Sequence, residues 1–148
     1  MTVETLALTG MKVVLCCRNV QDGERVVNGL TTEYGRSNVR VQVLDLADLD
    51  SVESCVNSIV EKEGTVDLLL NNAGIMALPQ RETTAQNFEK QLGVNHIGHF
   101  FLTRKLLPHM NTNGGRIINV ASTAHTMGDL QLSNLNFDPD DNNNNDTL

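Results

Sequence analysis

The stretch Val66-Asp67-Leu68-Leu69-Leu70-Asn71-Asn72-Ala73-Gly74 decides how the rest of the chain is read. Val66 to Leu70 is nearly all apolar, as expected of a strand covered by helices on both faces rather than of one with a wet face. At its carboxyl end size and polarity change at once, to two asparagines, an alanine and a glycine. In open parallel sheets, ligands bind beyond the carboxyl ends of the strands. The stretch therefore predicts a buried strand that delivers small, polar groups to a binding edge.

Working outward, the same alternation of short β-branched runs and helical stretches continues. Lys12-Val13-Val14-Leu15-Cys16 reads as a strand, and Gln21 to Glu33 as a charged amphipathic helix. Val39 to Leu44 is the next strand, ending at Asp45. Asp50 can cap a helix running to about Lys62, with Val52, Val56, Ile59 and Val60 on one face and Gly64 closing it. After the Leu70 strand, a long helix is predicted from about Ala85 to Met110, with Pro108 disturbing its last turn. Asn113-Gly114-Gly115 then turns the chain into Arg116-Ile117-Ile118-Asn119-Val120. Strands separated by helices imply right-handed parallel crossovers and an open α/β sheet. The four strand ends carry Cys17-Arg18-Asn19, Asp45-Leu46-Ala47, Asn71-Asn72-Ala73-Gly74 and Ala121-Ser122-Thr123. Small or polar groups at all four ends are a far stronger signal than at any one.

Composition narrows the function classes. The chain has 148 residues, a formal net charge of −7 and 40% hydrophobic residues, which suits one soluble globular domain. Aromatic content of 3% and scattered basic residues argue against nucleic acid as a partner. No apolar run approaches a membrane span, and the acidic start does not read as a secretory signal. Cys16, Cys17 and Cys55 form no C-x-x-C pair, which points to a reducing, cytoplasmic setting and no zinc site. His96, His99, His109 and His125 lack metal-ligand spacing, so structural or exposed roles are expected and no metal. The Asp- and Asn-rich residues 138–148 read as a flexible, solvated tail or loop.

Asn71-Asn72-Ala73-Gly74 after an apolar strand, Asn95-His96-Ile97-Gly98-His99-Phe100 on the long helix, and Ile118-Asn119-Val120-Ala121-Ser122 together resemble the short-chain dehydrogenase/reductase family. The Gly93 to Phe100 segment and the Cys-Arg-Asn turn are most similar to its retinol dehydrogenase-like branch, which includes the WW-domain oxidoreductase relatives. The resemblance implies a Rossmann-like, doubly wound parallel sheet, with residues 1–137 as a partial NAD(P)-binding domain. It implies that Ser122 polarises a substrate carbonyl. It also implies that Asn95 holds a proton-relay water through its backbone carbonyl at a locally distorted turn. Asn71, Ala73 and Gly74 resemble the segment lining the cofactor ribose, and Asp45-Leu46 the segment at the adenine. NAD-preferring members carry an acid where this chain has Cys17; Arg18, next to it, suits the 2′-phosphate of NADP(H), which is favoured over NAD(H).

Two family motifs are missing. Thr9-Gly10 is followed by Met11-Lys12-Val13-Val14, so no Thr-Gly-x-x-x-Gly-x-Gly phosphate loop is present, and Glu4 to Thr9 aligns with the end of a helix. The Tyr-x-x-x-Lys pair is also absent: Tyr34 is the only tyrosine, and neither Tyr nor Lys follows Ser122. The chain is thus expected to be the middle of a larger domain, inactive as it stands and doubtful as a cofactor binder. Loss of the first strand is expected to split the sheet at its centre, and either to leave the chain unstable or aggregation-prone or to have the gap closed by pairing foreign to the family. The parent enzyme would act on a carbonyl or alcohol, retinoid- or steroid-like, as a homo-oligomer. The other reading, from a different class, is a non-catalytic protein that pairs with full-length subunits or another partner.

Overall fold

A computed structural model describes residues 2–126, 128, 130 and 132–138. Most of the expected acidic tail, from residue 139 on, lies outside the described residues. The chain divides into two compact units, Met1–Asp45 and Leu46–Leu148.

The first unit runs α1 (Thr2–Leu8), β1 (Val13–Cys17), α2 (Val20–Tyr34) and β2 (Val39–Val43). β1 and β2 pair in parallel, Val13 opposite Val39 through Cys17 opposite Val43. The expected strands and helix are all present, each within a residue or two of its sequence bounds. α2 begins because the Asn19 side chain accepts the amides of Gln21 and Asp22, and it ends at Gly35, which takes a left-handed φ of 63°. Ala7, Leu30 and Val39 form the core, with Val3, Val13, Leu15 and Val27 packed against it. Gly23 is a packing requirement: a Cβ there would lie 2.7 Å from Cys17 Sγ and 2.9 Å from Val41 Cγ1, so α2 lies close upon the strand pair. Polar bonds fasten α1, since Asn38 Nδ2 donates to the Ala7 carbonyl and the Tyr34 hydroxyl donates to Glu4 at 3.0 Å.

That last bond holds the exposed Tyr34 phenol above the ordinary tyrosine range, because ionisation would place a phenolate beside the Glu4 carboxylate, with Glu33 adding to the repulsion. Whatever stability the bond contributes is present below the unfolded phenol's pKa and lost as pH rises through the folded one. Glu4→Gln should therefore move the phenolate absorbance transition to lower pH. With one tyrosine and no tryptophan the titration is unambiguous; an unmoved transition would refute the contact.

The second unit contains α3 (Leu49–Glu63), β3 (Leu68–Asn71), α4 (Lys90–Leu92), a π-helical turn (Gly93–Gly98), α5 (His99–Leu106), a 3₁₀ turn (Leu107–His109) and β4 (Arg116–Asn119). Short 3₁₀ turns follow at Thr123–Thr126 and Leu132–Asn134. α3 buries Val52, Cys55, Val56 and Ile59, the face its spacing predicts. Its cap is Asp48, whose side chain accepts the Asp50 amide, and not Asp50 itself. β3 and β4 pair in parallel from Leu68 opposite Arg116 to Asn71 opposite Asn119.

The long helix starts later than the sequence suggests. Thr83 and Glu89 form an antiparallel bridge, Asn87 has a left-handed φ of 64°, and Glu89 accepts the amides of Gln91 and Leu92. Residues 85–89 therefore belong to a tight loop whose last member caps the helix. Pro108 does disturb the other end, which tightens into the 3₁₀ turn. The strands form two separate two-stranded sheets, and among the described residues the second edge of β1 and of β3 pairs with no strand. Among the same residues no helix is long and apolar enough to cross a membrane.

Candidate functional site

In the first unit, β1 delivers Cys17, Arg18 and Asn19 to its carboxyl end. Arg18 is exposed. Burial pushes the Cys17 thiol above its usual range; a backbone bond with Gly23 partly opposes this and the Asp22 charge adds to it. Asp45, beyond β2, is half-buried.

In the second unit, Asn71 closes β3 and is 4% exposed. Its Nδ2 donates to Thr103 Oγ1 at 2.9 Å and to Asn119 Oδ1 at 2.8 Å, tying the strand pair to α5. Asn72, Ala73 and Gly74 are exposed beyond it. The Asn95 side chain reaches this segment as a backbone mimic: Nδ2 donates to the Ile75 carbonyl and Oδ1 accepts the Ile75 amide, both at 2.8 Å. Gly74 is in ordinary contact, its notional Cβ 3.5 Å from Asn95 Oδ1. Asn95 lies inside the π-helical turn Gly93–Gly98, where a widened helical repeat interrupts the regular ladder. Leu46 is 7% exposed, and its carbonyl would lie 2.5 Å from a Cβ on Gly98. A cleft of about 350 Å³ is lined by Asn71, Asn95, His99, Thr103, Asn119 and neighbouring residues.

Ser122 is exposed beyond β4, after Val120 has extended the ladder by donating to the Asn71 carbonyl. Its Oγ accepts the Ala124 amide at 3.1 Å, which leaves the hydroxyl proton uncommitted. Its carbonyl meets His125 Nδ1 at 2.7 Å. The structure thus joins Asn71, Gly74 and Asn95 around one edge. Among the described residues no hydrogen bond joins Ser122 to Asn95. The sequence pattern gives no part to Thr103 or Asn119, and for His99 only a structural or exposed role. The signal for His99 was its position one helical turn after Asn95. No group of three or more potential metal ligands occurs among the described residues.

The short chain dehydrogenase family model matches residues 1–134. The chain belongs to that family. Human retinol dehydrogenase 11 is 40% identical over 135 residues, covering 90% of this chain and 42% of the relative. Human retinol dehydrogenase 13 is 39% identical over 137 residues, covering 92% and 41%. The chain therefore spans about two-fifths of the length of these curated relatives, and it is retinol dehydrogenase-like within the family. Among solved structures, an uncharacterised protein from Mycobacterium Paratuberculosis superposes with a TM-score of 0.74 at 37% identity, covering 91% of this chain and 46% of that one. A 3-ketoacyl-(acyl-carrier-protein) reductase from Brucella melitensis, complexed with NADH, gives 0.68 at 32%, covering 90% and 56%. The fold is the α/β, Rossmann-like fold of these neighbours in part, the family is one of oxidoreductases, and its cofactors are NAD(P)(H) with small-molecule substrates.

The residues present fit such a cofactor only in part. Exposed Arg18 is suited to a phosphate, and bare backbone at Gly74 to a ribose. At the end of β1 the next helix start offers the pyrophosphate no free amides: the Gln21 and Asp22 amides that begin α2 are already accepted by the Asn19 side chain.

Proposed function

We propose that this chain carries the carbonyl-polarising and ribose-facing residues of an NADP(H)-dependent oxidoreductase but does not turn over by itself. The observation that carries the reading is the pair of hydrogen bonds between the Asn95 side chain and the Ile75 backbone, which fixes the segment beyond Gly74 against the π-helical turn. The Ser122 hydroxyl donates a hydrogen bond to the substrate carbonyl and keeps its proton, drawing charge toward the oxygen that is protonated in the reaction. Asn71, Ala73 and Gly74 face the ribose. In the first unit Arg18 selects the 2′-phosphate and Asp45, with neighbouring Leu46, the adenine. The cofactor would supply the hydride. Tyr34 is engaged with Glu4 and is not followed by a lysine four residues on, so no residue of the family's proton-transferring pair is available. Retinoid-like carbonyls or alcohols are the substrate class, by likeness to the retinol dehydrogenases.

Titration of the chain with NADPH, followed by fluorescence, and an assay with retinal test this directly. We expect neither micromolar binding nor turnover. A chimera supplying the glycine-rich loop and the Tyr-x-x-x-Lys pair should bind NADPH more tightly than NADH. It should reduce retinal, and lose about 100-fold or more in kcat with Ser122→Ala. Turnover by the chain alone, or an active chimera indifferent to Ser122→Ala, would overturn the assignment.

A second reading is favoured by the second edges of β1 and β3, which pair with no strand among the described residues. These strands are apolar, and such edges accept strands from other chains. A non-catalytic role in pairing with full-length subunits would appear as co-purification with a full-length relative without NADPH binding.

A further inference from the structure

Just after the π-helical turn, at the first residue of α5, the main-chain amide of His99 donates to the His96 carbonyl, three residues back. The imidazole of the same residue turns back on the helix, and Nδ1 meets the Asn95 carbonyl at 3.1 Å. A carbonyl only accepts, so this bond requires a proton on Nδ1. His99 is 9% exposed. Its ring is thereby held between the helix it belongs to and the cleft it shares with Asn71, Thr103 and Asn119. Asn95 is consequently fixed from both ends: its side chain by Ile75, its carbonyl by His99.

We propose that His99 is a positioning residue of this site, orienting the Asn95 carbonyl through Nδ1–H. The role rests on the oxidoreductase reading, in which that carbonyl holds a proton-carrying water. A carbonyl oxygen has two lone pairs. His99 occupies one, and so sets the direction in which the other is offered. A phenylalanine of similar size would fill the space and leave the carbonyl free to turn. An asparagine would keep a donor near the position of Nδ1.

The measurement needs no cofactor. In the ¹⁵N-labelled chain, long-range proton–nitrogen correlations should report a proton on Nδ1 of His99. His99→Phe should shift the Asn95 carbonyl carbon resonance and raise exchange of the Ile75 amide by about tenfold, as loss of one hydrogen bond implies. His99→Asn should return both toward the parent values. A proton on Nε2 alone, or His99→Phe spectra unchanged at Asn95 and Ile75, would overturn the proposal. If His99→Phe does not fold, the tautomer in the parent chain still decides. Failure of NADPH binding in the chimera would remove the oxidoreductase reading while leaving these spectra as they are, so the two outcomes are distinguishable.

Discussion

Leu106→Ala is expected to lower the unfolding free energy by about 2–5 kcal/mol, the range for truncating a fully buried leucine. Leu106 is 1% exposed in the last regular turn of α5, and Val52 and Cys55 of α3 are at 0% and 1%. These are the largest fully enclosed side chains among the described residues, and α3 packs against α5. Removing the isobutyl group loses its transfer energy and leaves a void that two helices held by other contacts cannot close. The Lys105–Glu53 ion pair spans the same two helices at 2.6 Å, but both partners are substantially exposed. Lys105→Ala should cost no more than about 1 kcal/mol. Urea unfolding of the two variants gives the comparison, with the slope unchanged if only stability has moved. Equal losses, or a Leu106→Ala loss below about 1 kcal/mol, would mean that α3 and α5 are not held by this contact. Because α5 begins at His99 and continues directly from the turn that carries Asn95, the same truncation should loosen the site.

How much of this was legible depends on which physical signal each element carries. The apolar face of α3 was, because Val52, Val56 and Ile59 repeat at helical spacing and Gly64 ends it. β3 was, because the run Leu68-Leu69-Leu70 is continuously apolar, and β4 was, from Ile117-Ile118, although the structure leaves most of β4 exposed. The start of α4 was not. Thr84-Ala85-Gln86-Asn87-Phe88-Glu89 contains residues compatible with a helix, and only the tertiary contacts reverse it. The Ala85 amide donates to the Ala47 carbonyl and the Leu49 amide donates to Gln86, bonds formed across many residues of chain. A glutamate as helix cap adds to the difficulty, since caps are more often Ser, Thr, Asp or Asn.

The site divides in the same way. Its residue types could be read because each strand end changes abruptly from apolar to small or polar. Their connections could not. Nothing in the spacing tells that Asn71 bridges Thr103 and Asn119, residues 32 and 48 positions away. Nor does a sequence pattern distinguish a π-helical turn from an α-helical one, because the two differ by a single residue in hydrogen-bond reach. The resemblance to short-chain dehydrogenases implied a distorted turn at Asn95. The spacing places His99 one helical turn after Asn95, and the structure shows its Nδ1 at the Asn95 carbonyl.

Gly98→Ala sets two known tendencies against each other, and their magnitudes decide the result. Alanine favours a helix over glycine by about 1 kcal/mol, so a helical glycine with room beside it should gain from the change. Gly29 in α2 is such a position, with nothing within 4 Å of a notional Cβ. Gly98 is not: its Cβ would lie 2.5 Å from the Leu46 carbonyl oxygen, 3.0 Å from Leu46 Cβ and 3.2 Å from the Gly93 carbonyl oxygen. Two of these three neighbours are backbone, which cannot swing aside as the end of a long side chain can. Overpacking of this kind costs about 1–3 kcal/mol, more than the propensity gain offsets. Gly29→Ala should therefore raise the denaturation midpoint while Gly98→Ala lowers it. The second change should also displace Leu46, the residue expected at the adenine, and disturb the turn around Asn95, visible as faster exchange of the Ile75 amide. A Gly98→Ala chain as stable as Gly29→Ala, with Ile75 equally protected, would show that the π-helical turn does not pack against Leu46 in solution.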